Sequence, residues 1–218
     1  MIQAEHKRWA RMLFNPYIKR LLRKNFSHFY LINEPPRIDE SEGLIVTPNH
    51  FSWWDGFFID YVMRYYTKKK IHMLMLEEQL KRYWFFRKLG AYSIDLNNPK
   101  KMIESIRYTQ QIVNNPENFV VYYPQGEIRP YDERPLRIKP GLKKVLRGVQ
   151  QKIMVVPAAF KIQHGNEPKP DVFARFAPPL QGEHIVNDFE VFIQVCGENI
   201  SNLDEASRER EYITDLFQ

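Results

Sequence analysis

The chain has 218 residues, 44% hydrophobic and 14% aromatic, with 32 Lys plus Arg against 26 Asp plus Glu. That length and apolar content suit one folded domain with a sizeable core and exclude intrinsic disorder as its main state. No run approaches the roughly 18–20 uninterrupted apolar residues of a spanning helix, the N-terminus lacks the apolar centre of a secretory signal, and the single Cys196 allows no internal disulfide, so a cytoplasmic, metal-free protein is expected.

Charge is uneven along the chain. Residues 1–110 hold 19 Lys plus Arg and 11 Asp plus Glu, whereas residues 111–218 hold 13 and 15. The positive N-terminal half attracts polyanions in general, among them anionic headgroups, nucleic acid or an acidic carrier protein. Residues 1–32 form an amphipathic helical segment ahead of the α/β domain at 33–218. In it Lys7, Arg8, Arg11, Lys19, Arg20, Arg23 and Lys24 alternate with Trp9, Met12, Leu13, Ile18, Leu21, Leu22 and Phe26 at helical spacing. Pro16 has no N–H to donate, which predicts two short helices. A basic helix of this kind either lies in a bilayer interface or packs on its own domain. The stretch from Lys81 to Lys88, four aromatics between two cation pairs, allows the same two readings.

Beyond residue 40, short β-rich runs alternate with helical segments, the pattern of an α/β domain with a parallel or mixed sheet of about seven strands. Strands are expected at 43–47, 72–76, 91–95, 119–123, 153–160, 172–176 and 190–195. Helices are expected at 56–66, 77–89, 99–114, 141–151 and about 203–217.

The run Leu44 to Thr47 leads into Pro48-Asn49-His50-Phe51-Ser52-Trp53-Trp54-Asp55-Gly56. Loops after strands of α/β folds are where sites lie. A histidine there, with an ordinary pKa of ~6.5, can serve as a general base at neutral pH, and a carboxylate on one ring nitrogen leaves the other free. Of the six histidines only His50 has an Asp five residues on, at Asp55. Ser52 has no nucleophile-turn context and reads as a structural hydroxyl. A second strand runs into Tyr123-Pro124-Gln125-Gly126-Glu127-Ile128-Arg129, and a third carries Val155-Val156-Pro157.

These blocks, in this order, resemble the lysophospholipid acyltransferases typified by 1-acyl-glycerol-3-phosphate acyltransferases. Asn49-His50 to Asp55 is similar to their N-H-x-x-x-x-D block, and Tyr123-Pro124-Gln125-Gly126-Glu127-Ile128 to their F-P-E-G-T-R block. Gly90-Ala91-Tyr92-Ser93-Ile94-Asp95-Leu96, Ile138-Lys139-Pro140-Gly141 and Val155-Val156-Pro157 are similar to three further blocks. The resemblance implies an O-acyltransferase in which His50 is the base and Asp55 orients it. It places Gln125, Gly126, Glu127 and Arg129 at the acceptor and Asn49, Lys139 and Pro157 at the acyl or donor site. It implies no metal and no cofactor beyond acyl-coenzyme A or acyl carrier protein as co-substrate, with no nucleic acid. It implies work at the inner face of the cytoplasmic membrane, on an anionic surface, with acyl carrier protein as a candidate partner. Leu96 and Ile128 stand where that family carries phosphate-holding arginines, and Gln125 where it carries Glu. A phosphate-free lipid acceptor is therefore a second reading, and a non-catalytic module that binds anionic lipid a third.

Overall fold

A computed structural model describes residues 1–218. Its architecture starts from strands that are apolar on both faces. Every residue of β2 (Gly43–Pro48) is buried. Because successive side chains of a strand point to opposite faces, Leu44 and Val46 enter one core and Ile45 enters another. A strand covered on both sides is the mark of a parallel sheet between helical layers.

The sheet has nine strands. β2, β3 (Lys70–Leu76), β4 (Ala91–Ile94), β5 (Asn118–Val121) and β6 (Ile153–Gln163) pair in parallel in the order β4-β3-β5-β2-β6. β7 (Asp171–Phe176) runs antiparallel to β6. β1 (Phe29–Leu31) joins β7 in parallel, β9 (Thr214–Asp215) closes that edge, and β8 (Leu180–Gln181) pairs with β6. β1, β8 and β9, of two or three residues each, are too short to show a period and escape the sequence reading.

Helices α1 (Arg8–Asn25) and α2 (Asp55–Tyr66) cover one face of the sheet, with Phe14, Ile18, Phe57 and Phe58 in its core. α4 (Pro99–Val113), α5 (Gly141–Leu146), α6 (Gly182–Asn187) and α7 (Phe189–Glu209) cover the other, with Ile112, Val145, Ile185 and Phe192. The short α3 (Glu77–Arg82) leads into β4. No helix is long and apolar enough to cross a membrane.

Five expectations are corrected. α1 is one helix with Pro16 inside it, not two. Pro16 lies on the exposed side, where water can serve the carbonyl it leaves unpaired, while Ala10, Phe14, Ile18 and Leu22 anchor both halves in the core. Residues 190–195 are helical. Asp188 caps α7 by accepting from the Glu190 and Val191 N–H groups, and Phe192, Cys196, Ile200 and Leu203 are buried at helical spacing, so packing overrides the local β-propensity. α7 ends at Glu209 with Arg210 left-handed at φ 54°, and the chain then forms β9. The helix expected at 77–89 breaks at Tyr83 and continues as a 3-10 turn over Trp84–Leu89, and that expected at 141–151 stops at Leu146.

The N-terminal residues pack beside β3, where the His6 and His72 Nε2 atoms are 3.2 Å apart. Burial, with Arg11 and Lys70 nearby, pushes both imidazoles down from 6.5 to about 4. Above 6.5 the rings are neutral in the folded and unfolded chains alike. Between 6.5 and about 4 only the unfolded chain takes up the protons, so this contribution to stability is lost as pH falls through that window. Urea midpoints of wild type and the double variant His6→Gln/His72→Gln are expected to converge as the buffer is acidified from pH ~7 to ~4.5. Parallel curves would assign the acid sensitivity to other groups.

Candidate active site

β2 and β5 are neighbours, yet the chain after β2 enters α2 on one face and the chain after β5 enters α5 on the other. Adjacent strands whose connections diverge open a crevice at their carboxyl ends. The loops 49–54 and 122–140 meet there.

The His50 Nδ1–H donates to Asp55 Oδ2 at 2.9 Å. A carboxylate only accepts, so this bond assigns the ring proton to Nδ1 and leaves Nε2 with its lone pair. The same Oδ2 accepts from the Phe51 N–H at 2.8 Å and the Ser52 N–H at 2.9 Å. The Asp55 side chain is fully buried and that of His50 is 22% exposed, so the carboxylate lies behind the ring and the ring faces outward. Burial pushes the Asp55 carboxyl above its ordinary range, and the His50 and loop N–H donors oppose that rise. Ser52 Oγ accepts from the Trp54 N–H at 3.1 Å, which makes it part of the turn.

Three further residues hold His50, one through its ring and two through its backbone. Tyr123 stacks on it with centroids 4.2 Å apart, and burial with the Asp55 charge raises this phenol well above its ordinary pKa, so it stays neutral. Gln125 Oε1 accepts from the His50 N–H at 2.6 Å, a bond that an amide makes as well as the Glu of the resembling block would. The His50 carbonyl accepts from the Arg129 N–H at 2.9 Å. Gly126 lies in the left-handed region at φ 73°, and a Cβ there would sit 3.2 Å from Lys139 Cδ, so both backbone and neighbour favour glycine.

His50 opens into a groove of about 650 Å³. Its lining takes Phe14, Gly56, Phe57, Met73 and Phe86 from α1, α2, β3 and the 3-10 turn, and Met102, Ile106 and Val145 from α4 and α5. Gly56 leaves room there, since a Cβ would be 3.2 Å from Met73 Sδ. Such a mostly apolar channel, with few polar groups at one point, suits a fatty chain reacting at its end.

Gly126, Glu127 and Lys139 line this groove. Asn49, Pro157 and the Arg129 side chain are elsewhere. Asn49 is buried and exchanges bonds of 2.9 and 2.8 Å with the Phe160 backbone, so it pins the loop to β6. Pro157 sits within β6, opposite Thr47. The Arg129 guanidinium turns to Glu127 at 2.7 Å and Glu133 at 3.9 Å. Leu96 and Ile128 do line the groove, about half exposed, and place no cation there. The sequence assigns no site role to Tyr123, the first residue of its block, or to Gly56, the first of an expected helix.

The family model described as Acyltransferase matches residues 30–161, and the chain belongs to that family. It is 25% identical over 134 residues to the 1-acyl-sn-glycerol-3-phosphate acyltransferase of Streptococcus pneumoniae (strain ATCC BAA-255 / R6), a match covering 60% of this chain and 46% of that one. The chain thus spans less than half the length of this curated relative. Its fold is similar to the crystal structure of the 1-acyl-sn-glycerophosphate (LPA) acyltransferase, PlsC, from Thermotoga maritima. That likeness has a TM-score of 0.64 at 18% identity, over 88% of this chain and 78% of that one.

Proposed function

We propose that this chain moves a fatty acyl group from an acyl thioester, acyl-coenzyme A or acyl carrier protein, to the hydroxyl of a lysophospholipid-like acceptor such as 1-acyl-glycerol-3-phosphate. The carrying observation is His50, tied through Nδ1 to buried Asp55, with no protein partner on Nε2, lining an apolar groove. Nε2 takes the acceptor's proton as its oxygen attacks the thioester carbonyl. The tetrahedral intermediate then expels the thiolate, which recovers the proton from the imidazolium. Asp55 steadies the transient imidazolium charge. The test is incubation with each donor and a mixed lysolipid extract, with products read by mass spectrometry beside His50→Ala. A new acylated lipid made equally by both proteins would remove His50 from the chemistry. Leu96 and Ile128 in the groove support a second reading, a phosphate-free lipid acceptor, which the headgroup of the product would reveal.

The setting we propose is the anionic inner surface of the cytoplasmic membrane. α1 has two apolar faces, one in the core and one bearing Trp9, Met12, Leu13 and Tyr17, 48–71% exposed. Leu13 and Tyr17 line a second, wholly apolar hollow of about 520 Å³ that shares Phe14, Trp53, Phe57, Tyr83 and Phe86 with the His50 groove. The two hollows thus share an aromatic wall suited to a lipid chain, and Arg8, Lys19, Arg20, Lys81 and Arg82 supply charge for headgroups. Co-sedimentation with phosphatidylglycerol vesicles is expected to weaken about tenfold for Leu13→Glu, from the lost apolar insertion alone. Unchanged binding would place the contact elsewhere.

A further inference from the structure

The charged residues that line the groove are few enough to pair off one by one. Besides His50 they are Arg11, Asp60, Glu127, Lys139 and Lys144. Arg11 meets Asp60 at 2.5 Å, and Asp60 is shared with Arg64. Lys139 meets Glu127 at 3.2 Å, and Glu127 also holds Arg129. Lys144 is exposed, forms no ion pair and is the one uncompensated cation of the groove. It stands on α5, in the wall opposite Met102 and Ile106 of α4. α5 carries no carboxylate to compete for it, and Lys143 in the helix and Arg147 at its cap add further positive charge.

We infer that Lys144 is a specificity-determining residue that binds the phosphate ester of an acyl-transfer substrate. This rests on the acyl-transfer reading above and adds to it the group through which a substrate is chosen. An ammonium is a compact donor of three N–H bonds, suited to a phosphate oxygen, and an exposed one is free to turn toward it. Two sources carry such a phosphate. One is an acceptor phosphomonoester beside the reacting hydroxyl, and the other is the phosphopantetheine arm of the donor. Arg11 and Lys139 already have carboxylate partners and would have to break an ion pair to serve either.

The experiment compares wild type with Lys144→Ala and Lys144→Glu on matched substrates. The acceptors are lysophosphatidic acid and monoacylglycerol, and the donors are acyl-coenzyme A and the phosphate-free thioester acyl-pantetheine. If the acceptor's phosphate sits at Lys144, the kcat/KM preference for lysophosphatidic acid over monoacylglycerol falls about tenfold in Lys144→Ala and further in Lys144→Glu. If the donor's phosphate sits there, the preference for acyl-coenzyme A over acyl-pantetheine falls instead, with the acceptor ratio unchanged. Both ratios unchanged, with the variants folded by circular dichroism, overturns the assignment. A binding readout keeps it separate from the catalytic reading. Calorimetric titration with lysophosphatidic acid, and with a thioether analogue of acyl-coenzyme A, is expected to weaken about tenfold for one of the two in Lys144→Glu, whether or not turnover occurs. Equal affinities for both probes overturn the inference even if His50 proves to be the base, whereas weakened binding without turnover sustains it and counts against the chemistry.

Discussion

Replacing His50 by alanine is expected to lower kcat/KM by about a hundredfold to ten-thousandfold, the range that a positioned general base supplies. The side chain has no structural duty large enough to confuse that result. Its one side-chain hydrogen bond goes to Asp55, and Oδ2 keeps the Phe51 and Ser52 N–H donors when the ring is gone. The loop backbone is held independently by Gln125 on the His50 N–H and by Arg129 on the His50 carbonyl, both bonds to backbone atoms that alanine retains. Loss of the stack on Tyr123 removes a contact of about 0.5–1.5 kcal/mol, which shifts the melting point by a few degrees at most for a chain of this size. The measurement is initial-rate transfer with the folded variant. A rate within tenfold of wild type would mean that another group takes the proton, and the His50–Asp55 pair would then be a device for shaping the loop.

The second large effect is on stability. Phe58 is fully buried on α2 and meets Phe26 at 5.3 Å, Phe29 at 5.6 Å and Phe160 at 5.8 Å, joining the end of α1, the sheet and α2 at one point. Phe58→Ala is expected to cost about 3–5 kcal/mol through lost transfer energy and a cavity that rigid aromatic neighbours cannot refill. Against a typical total of about 5–15 kcal/mol, that brings the chain near the edge of folding at 37 °C. Urea denaturation gives the number. A loss below about 1 kcal/mol would show that the neighbours collapse into the space. The consequence for activity follows from position. α2 begins at Asp55, so loosening its anchor frees the carboxylate that orients His50. The active fraction should therefore fall faster with temperature than the helical signal does.

The parallel half of the sheet and the His50–Asp55 pair were legible in the sequence because both are local. Strands such as 43–47 and 153–160 are continuous apolar runs, and a histidine and an aspartate five residues apart across one turn can meet whatever the rest of the chain does. Even so, it was the order of several short blocks that raised the pair above the many chance spacings of its kind. The C-terminal third was not legible in that way. Residues 190–195 have strand-like composition, and they are helical because Asp188 caps them and the sheet offers a surface that fits Phe192, Cys196 and Ile200 at a period of 3.6. That surface is made by residues far away in the chain.

By itself the sequence determined the α/β class, the closeness of His50 and Asp55 and the basic, aromatic N-terminal half. Only the tertiary structure decided that Asn49 and Pro157 support the site from within, that Arg129 turns away to Glu127 and Glu133, and that Tyr123 and Gly56 shape it. It also decided that Lys144 faces the groove without a partner. The reason is physical. A motif records which groups are within reach of one another along the backbone, but which side chains share a cavity, and which charges remain unpaired in it, depends on burial and pairing among elements widely separated in sequence.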